Sequence, residues 1–293
     1  MILCFDIGGS RIKAALAQGG SLVPLGEAPT PTDSFEAFAA TLASFQAGRP
    51  VRGIAISVAG VVDPASGRIT VVNIPCAHGR SLGPDLAAAL GLPVLVLNDA
   101  DCFALAEARQ GAGRGHDCVF GIILGTGVGG GVVINGQVLT GAAGYAGEWG
   151  HGPIVREADL QLACGCGQMG CLDTIGGARG IERLHLIREG QGTGSVALLA
   201  AWRAGDAAAG RTVGLWLDLL AGPLAMVVNV LGASVVPVGG GLSNAPDLVA
   251  ALDAAVRARI LRHAPQGLLV PATCGPDAGL IGAAEAGALA FPC

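Results

Sequence analysis

Charged side chains are scarce in this chain: they make up 13% of its 293 residues, against about 25% in an ordinary soluble protein. Disorder is excluded, because disordered chains combine many charges with low hydrophobicity, whereas 52% of these residues are hydrophobic. Basic residues are also few, with 17 lysines and arginines against 22 acidic residues and a net charge of -5. This balance argues against nucleic acid or an anionic membrane as the main partner, since both attract basic patches.

Residues 219–246 contain no charged side chain and are numerous enough to span a bilayer. Prolines at 223 and 237 and the triplet Gly239-Gly240-Gly241 interrupt this stretch. We therefore predict a buried helix, then a buried strand, then a glycine turn, with a membrane-spanning helix as the alternative. The N-terminus shows no basic region before Asp6, so no signal peptide is expected, and the predicted location is cytoplasmic.

Apolar runs, glycine turns and helical patterns alternate along the chain, which is typical of α/β layers. A strand, a glycine turn and a second strand open the chain, and the same pattern restarts at residue 119, which suggests two domains of related fold. Residues 141–180 are predicted to be rich in loops. Strands are predicted at 2–7, 14–17, 53–58, 93–97, 119–124, 131–135, 234–238 and 268–271, and helices at 34–47, 82–90, 100–109, 213–231, 246–261 and 277–289.

Two glycine-rich turns, Gly8-Gly9-Ser10 and Gly125-Thr126-Gly127, each follow a predicted buried strand. Backbone N–H groups in such turns can approach an anion closely because no Cβ intervenes. Neither turn is a Walker A loop or a dinucleotide fingerprint, and a plain hairpin turn is the alternative for each. Asp6, just before the first turn, is a candidate ligand for hydrated Mg²⁺, and Ser10 for a phosphate oxygen. Gly239-Gly240-Gly241 is a third candidate nucleotide contact.

Asn98 and Asp99 follow another predicted strand, at the edge where α/β sheets gather their ligands. A carboxylate in that place can accept the proton of an attacking hydroxyl. The alternative is a helix N-cap, for which Asn and Asp are preferred residue types. Both roles are compatible, with Asn98 holding the turn and Asp99 facing a substrate.

One imidazole and three thiols occur close together in the loop-rich segment: His151, Cys164, Cys166 and Cys171. This ligand set suits tetrahedral Zn²⁺ with no open position, which is typical of a structural site. The one-residue spacing between the first two cysteines is tighter than in zinc fingers. Buried thiols without a metal are the alternative.

Together these motifs resemble the ROK family of sugar kinases, in the same order and over essentially the whole chain. The resemblance implies a two-domain actin- and hexokinase-like (ribonuclease H-like) α/β fold with a cleft between the domains. It assigns residues 1–115 and 278–293 to a smaller domain and residues 116–277 to a larger one. The motifs are Asp6-Ile7-Gly8-Gly9-Ser10-Arg11, Asn98-Asp99-Ala100, the glycine run 125–131, Glu148-Trp149-Gly150-His151, the cysteine cluster and Gly239-Gly240-Gly241.

The resemblance also implies transfer of the γ-phosphoryl group of Mg·ATP to a sugar hydroxyl, with structural Zn²⁺ and a homodimer. Asp99 would then be the general base. Asp173 stands where the family usually has a sugar-binding Glu, one methylene longer. The implied sugar-binding residues are Asn98, Asp99, Glu148, His151 and Asp173. The implied phosphate-binding residues are Asp6, Gly8, Gly9, Ser10, Arg11, Gly125, Thr126, Gly127, Gly239 and Gly240. The implied zinc ligands are His151, Cys164, Cys166 and Cys171.

Within the family, residues 29–35 and 73–75 and the cysteine loop are most similar to bacterial N-acetyl-D-glucosamine kinases, so that activity is expected. A fructokinase, mannokinase or glucokinase is the alternative. Some family members are transcriptional repressors with a helix-turn-helix before the first phosphate loop, and here the loop begins at Asp6. A sugar-binding protein without catalysis stays open because of Asp173.

Overall fold

The computed structural model describes residues 1–264 and 267–292, so Cys293 lies outside the described residues. The chain divides into two compact units. Unit 1 consists of Met1–Arg114, Gly131–Ala146 and the residues from Cys274 onward, and unit 2 of Gly115–Gly130 and Gly147–Thr273. The predicted domain ranges differ from these units mainly at residues 131–146, and the predicted boundaries stay a prediction.

Local contacts explain why residues 131–146 group with unit 1. A Cβ on Gly131 would lie 2.5 Å from the carbonyl oxygen of Ala100, so this backbone lies directly against the helix that begins at Asp99. Arg109, at the end of that helix, donates to the carbonyl oxygen of Gly136 at 2.8 Å. The close backbone contact at Gly131 and the hydrogen bond from Arg109 thus hold the segment against unit 1.

The N-terminal part of the chain confirms the predicted strands and helices and adds short strands that the apolar pattern did not indicate. The longest addition, an outer strand with Pro24 and Gly26, was missed because its residues are mostly exposed. The elements are β1 (Ile2–Ile7), β2 (Arg11–Gln18), β3 (Ser21–Pro29), α1 (Phe35–Gln46), β4 (Ile54–Val58), β5 (Val61–Val62), β6 (Ile69–Thr70), α2 (Leu82–Leu90), β7 (Val94–Asn98) and α3 (Asp99–Arg109).

The sheet of unit 1 has the order β3-β2-β1-β4-β7. β1 pairs antiparallel with β2, which confirms the predicted hairpin, and parallel with β4, which in turn pairs parallel with β7. Most residues of β1 and β4 are buried, as expected for central strands covered on both faces. Asp6 and Ser57 are the polar residues of these two strands and lie opposite each other in the ladder.

Two different helix layers cover this sheet. One core joins large side chains of the strands with α1 and α2, including Phe5, Phe38 and Leu86. The other core is built mostly from small residues, including Cys4 and Ala283, together with Ile2 and Leu280. Small side chains let a helix approach the sheet and its neighbouring helix closely.

The remaining elements include two helices, Ala178–Glu189 and Ser195–Arg203, that the sequence pattern did not indicate. Two predicted helices have different bounds in the structure. The helix predicted at 213–231 begins earlier, at Ala207, and the helix predicted at 246–261 ends earlier, at Arg257. The elements are β8 (Cys118–Leu124), β9 (Val128–Ile134), β10 (Gln137–Val138), α4 (Asp173–Gly176), α5 (Ala178–Glu189), α6 (Ser195–Arg203), α7 (Ala207–Leu231), β11 (Val236–Gly239), α8 (Pro246–Arg257), β12 (Leu269–Pro271) and α9 (Ala278–Ala290).

The second sheet has the order β10-β9-β8-β11-β12, with β11 parallel to both β8 and β12. Its central strands end at the second and third glycine motifs. In parallel strands the carboxyl ends meet at one edge, so these two motifs come together.

Helix α7 is, by length and composition, apolar enough to cross a membrane, and 39% of its most apolar window is buried inside the protein. Its buried face includes Trp216, whose indole N–H donates to the carbonyl oxygen of Gly176 at 3.0 Å. The helix begins before the predicted start because the Asp206 side chain accepts a hydrogen bond from Ala209 N at its N-cap. It passes through Pro223, and β11 and a glycine turn follow, so the predicted order of helix, strand and turn is confirmed.

Helices α3 and α9 of unit 1 pack at a distance that only glycine allows. A Cβ on Gly282 would overlap the backbone carbonyl of Cys102. We expect Gly282→Ala to lower the free energy of unfolding by about 1–3 kcal/mol, because the helices must separate to admit the methyl group. Urea denaturation measures this change.

Gly214→Ala in α7 is the matched control, because nothing lies within 4 Å of its new Cβ. Removing a helical glycine there is expected to raise the free energy of unfolding by about 0.5–1 kcal/mol. Equal effects of the two substitutions would contradict the close approach of α3 and α9.

Candidate functional site

The first glycine turn joins β1 to β2 in unit 1 and is held by hydrogen bonds on both sides. Gly8 N donates to the carbonyl oxygen of Arg11 at 2.9 Å, and the Thr30 hydroxyl donates to the carbonyl oxygen of Gly8 at 2.7 Å. A Cβ on Gly9 would lie 2.6 Å from Cβ of Asn73, so a larger residue cannot occupy that position without moving its neighbour. The turn is thus preformed.

Asp6 lies at the end of β1, just before this turn. The Ser57 hydroxyl donates to Asp6 Oδ1 at 2.9 Å, and a Cβ on Gly279 would lie 2.5 Å from the same oxygen. Burial raises the pKa of Asp6, while the hydrogen bond from Ser57 and the charge of Lys13 oppose that increase. A carboxylate supported in this way can hold a hydrated Mg²⁺, which needs only one or two protein carboxylates.

Two predicted phosphate contacts of this turn have different surroundings. Ser10 is exposed, and its carbonyl oxygen accepts a hydrogen bond from Thr30 N at 3.2 Å. Arg11 is paired with Glu27 of β3 at 2.8 Å, and its side chain is 66% exposed. An arginine so exposed can change partners at little cost, since surface ion pairs contribute about 0–1 kcal/mol.

Asn98 and Asp99 form the junction between β7 and α3. Asn98 is the N-cap: its Oδ1 accepts from Ala100 N at 2.8 Å and from Asp101 N at 3.2 Å. Its amide donates to the carbonyl oxygen of Gly60 at 3.1 Å, which ties the turn to the loop after β4. Asp99 is therefore the first residue of a capped helix, where the helix dipole favours a negative charge.

A cavity of about 300 Å³ in unit 1 reaches this junction. Most of its wall is apolar, and β7 contributes Val94–Asn98 to it. Asp63, Asn98, Asp101 and Thr140 are its polar lining residues.

The second glycine turn, in unit 2, follows β8 and is closed by a hydrogen bond from Gly125 N to the carbonyl oxygen of Gly127 at 3.1 Å. Two other backbone segments lie directly on it. A Cβ on Gly177 would lie 2.6 Å from the carbonyl oxygens of both Thr126 and Gly127. A Cβ on Gly240, in the third glycine motif, would lie 2.5 Å from Gly125 N. The two predicted nucleotide motifs of unit 2 are thus in direct contact.

Asp173 also lies against this turn, because its Oδ1 accepts from Val128 N at 2.8 Å. A cavity of about 380 Å³ opens beside the contact, with two arginines in its wall. Its lining includes Thr126, Gly127, Cys164, Asp173, Arg179 and Arg183.

Glu148 and His151 lie in the turn 147–152, which Trp149 anchors to unit 2. The Trp149 indole packs edge-on against Phe120 and donates to the carbonyl oxygen of Gly129 at 2.9 Å. Glu148 Oε2 lies 3.7 Å from His151 Nε2. Burial raises the pKa of Glu148, with the His151 charge opposing that increase.

The four predicted zinc ligands come together in unit 2, with their ligand atoms within 4.8 Å of one another. Cys164 Sγ lies 3.6 Å from His151 Nδ1, and Cys166 Sγ lies 3.6 Å from Cys171 Sγ. Tetrahedral Zn²⁺ with bonds of about 2.3 Å to sulfur and 2.0–2.1 Å to nitrogen requires ligand atoms about 3.5–3.8 Å apart. The donor set and its spacing therefore fit zinc.

The environments of the thiols differ. A hydrogen bond from the backbone N–H of Gln168 lowers the pKa of Cys166 to about 6, which favours its thiolate. Desolvation raises the pKa of Cys164 to about 12. Gly152 N donates to Cys171 Sγ at 3.4 Å, which links this thiol to the turn that carries His151.

In unit 1, Asp6 and the turn 8–11 lie at the end of β1, and Asn98 and Asp99 lie at the end of β7, so both sets are at the carboxyl ends of parallel strands of one sheet. In unit 2 the predicted residues are linked by direct contacts. They are the turn 125–127, the third glycine motif, Glu148, Asp173 and the zinc-type cluster.

Sequence reasoning did not identify Ser57, Thr30 or Gly177 as supports of this machinery. Ser57 could have been noticed as the single hydroxyl in a buried apolar strand. Thr30 and Gly177 act through backbone contacts with turns distant in sequence, and no local pattern indicates such contacts.

Comparison with known proteins agrees with this arrangement. Residues 2–287 match the model of the ROK family. The chain is 36% identical over 297 residues to an N-acetyl-D-glucosamine kinase from Pasteurella multocida, covering 96% of this chain and 97% of that one. It is also 36% identical over 299 residues to an N-acetylgalactosamine kinase from Shewanella, covering 96% and 95%. The crystal structure of a ROK hexokinase from Thermus thermophilus matches with a TM-score of 0.85 and 33% identity, covering 97% and 96%.

The hydrogen bond between Ser57 and Asp6 gives a prediction about pH. Ser57→Ala is expected to lower the free energy of unfolding by about 1.5–3 kcal/mol at a pH high enough for Asp6 to be charged. The hydrogen bond lowers the pKa of Asp6, so its stabilising effect is present above that pKa and decreases as the pH falls through it. Urea denaturation of both proteins between pH 4 and 8 measures the difference.

Ser44→Ala, on the exposed side of α1, is the control and should change stability little at any of these pH values. A Ser57→Ala effect that is constant with pH would contradict the assigned link to the Asp6 charge.

Proposed function

The chain belongs to the ROK family, and from this premise we propose that it is an ATP-dependent kinase that converts N-acetyl-D-glucosamine to its 6-phosphate. The observation that carries the proposal is the junction of β7 and α3. There Asn98 caps the helix through its own side chain, so Asp99 begins the helix with a fixed backbone. The segment that resembles the family's catalytic segment is thus held in place by hydrogen bonds from Ala100 N and Asp101 N to Asn98 Oδ1.

Asp99 acts as the general base in this proposal. Its carboxylate accepts the proton of the sugar hydroxyl as that oxygen bonds to the γ-phosphorus, while the bond from the γ-phosphorus to the bridging oxygen breaks and ADP leaves. The N-terminal end of α3 stabilises the charged carboxylate before transfer. General base catalysis of this kind contributes typically about 10²–10⁴ in rate.

The glycine motifs hold the nucleotide phosphates. Phosphoryl transfer depends mostly on positioning and charge neutralisation, so backbone N–H donors and a few side chains suffice. Mg²⁺, bound through water near Asp6, would neutralise charge on the phosphates. The proposed phosphate contacts are Gly8, Gly9, Ser10, Arg11, Gly125, Thr126, Gly127, Gly239 and Gly240.

The sugar is assigned to Asn98, Glu148 and His151, with Asp99 at the reacting hydroxyl. The raised pKa of Glu148 reflects a partly dehydrated site, where a hydrogen bond to a sugar hydroxyl is stronger than in water. N-acetylgalactosamine is the second candidate, because a relative with that name is as similar in identity as the N-acetyl-D-glucosamine kinase. Fructose, mannose and glucose, or sugar binding without catalysis, are the remaining alternatives.

We further propose that His151, Cys164, Cys166 and Cys171 hold a structural zinc ion. The spacing of their ligand atoms supports this assignment, and the closed set of four leaves no position for a reactive water. The ion would fix the loop 147–173, which has no β-strand and no α-helix before Asp173. From the family resemblance we also propose a homodimer in the cytoplasm.

A panel of sugars tests the proposed reaction. N-acetyl-D-glucosamine is expected to give the highest kcat/KM among itself, N-acetyl-D-galactosamine, N-acetyl-D-mannosamine, glucose, mannose and fructose in an ATP-dependent assay. Asp99→Asn is expected to lower kcat by about 10²–10⁴ with little change in nucleotide affinity, because the base is lost and the turns are kept.

Asp85→Asn, in the surface ion pair with Arg80, is the control and should keep full activity. A higher kcat/KM for another sugar would change the substrate assignment. Full activity of Asp99→Asn would remove Asp99 from the role of base.

Metal analysis tests the zinc site. Protein purified without chelators is expected to carry stoichiometric zinc, and Cys171→Ser is expected to lose it and to unfold at a lower temperature. Cys118→Ser, at a thiol far along the chain from the cluster, is the matched control and should keep its zinc. The assignment would be contradicted if the wild-type protein contained no zinc and if Cys171→Ser had the same melting temperature as the wild-type protein.

A further inference from the structure

Asp173 is the point in unit 2 where three functional segments meet. Its Oδ1 accepts from Val128 N at 2.8 Å, at the end of the second glycine turn. Its backbone N–H donates to the carbonyl oxygen of Gly150 at 2.9 Å, next to His151. Its Oδ2 lies 3.8 Å from Cys164 Sγ.

The carboxylate also fills the space that a side chain at position 127 would need. A Cβ on Gly127 would overlap Asp173 Oδ1. Since this glycine does not have a positive φ, the requirement for glycine there comes from the carboxylate and not from backbone strain. The turn and Asp173 are therefore fitted to each other.

We propose that Asp173 is a positioning residue that holds the turn 125–128 in the shape that binds nucleotide phosphate, and that this is its main role instead of sugar binding. The inference rests on the proposed function, because it assigns the nucleotide to this turn. Anion binding by a turn requires backbone N–H groups fixed in direction beforehand. Asp173 supplies that restraint by accepting from one N–H of the turn and packing against Gly127.

The side-chain length supports this role. Asp173 Oδ1 already accepts a hydrogen bond from the backbone N–H of Val128. The short side chain keeps the carboxylate against the turn. Its hydrogen bond is charge-assisted, which makes it roughly twice as strong as a neutral one.

Separate binding measurements on two variants test the inference. Asp173→Ala removes the acceptor and is expected to raise the Kd for Mg·ADP about tenfold, with the Kd for N-acetyl-D-glucosamine within about twofold. Asp173→Asn keeps an oxygen that can accept from Val128 N, so its Kd for Mg·ADP is expected to stay within about threefold of wild type. Both constants are measured by titration calorimetry, with zinc content checked in each protein.

Asp159→Ala is the matched control, because it removes an exposed ion pair with Arg188 in the same unit without touching the turn. Both of its binding constants should stay at the wild-type values.

A loss of sugar affinity with unchanged Mg·ADP affinity in either variant would overturn the inference and make Asp173 a sugar ligand. If Asp173→Ala does not fold, the measurements on Asp173→Asn decide. If Asp173 were a sugar ligand, this variant would bind N-acetyl-D-glucosamine more weakly and Mg·ADP as wild type does. Wild-type protein that binds Mg·ADP but phosphorylates no sugar would refute the proposed reaction alone. Wild-type protein that binds no Mg·ADP would overturn both.

Discussion

The close approach of backbone segments at the turn 125–127 is the constraint on which unit 2 depends. A Cβ on Gly177 or Gly240 would collide with the backbone of this turn, and the carboxylate of Asp173 occupies the space that a Cβ on Gly127 would need. These contacts join β8, β11, α4 and α5 at one edge of the sheet. Any larger residue would separate them, because close-packed interiors do not absorb even one added methyl group without cost.

In unit 1 the corresponding constraint is a half-buried carboxylate. Asp6 lies against Ser57, Gly279 and the paired strands, so a hydroxyl and a nearby lysine stabilise its charge where contact with water is reduced. Such a site is costly for a protein that needs only stability. The cost is consistent with a group retained for binding a cation and phosphate.

The zinc-type cluster has a wider effect than fixing its own loop. His151 belongs both to the cluster and to the turn that carries Glu148, and Cys164 lies next to Asp173. The loop therefore connects the residues proposed for sugar with those proposed for phosphate. The proposed closed zinc site would suit this task, because it would restrain four side chains without introducing reactivity.

Most of the secondary structure and the candidate residues could be predicted from the sequence alone. Apolar runs ending in glycine mark the strands and turns, and the spacing of His151 with the three cysteines marks the candidate metal site, because these signals are local. The partners of those residues could not be predicted in the same way. Ser57 beneath Asp6, Gly177 and Gly240 against the second turn, and Val128 as the partner of Asp173 all depend on contacts between segments distant along the chain. Only tertiary packing decided them, since it alone determines which backbone groups approach closely enough to exclude a side chain or to share a hydrogen bond.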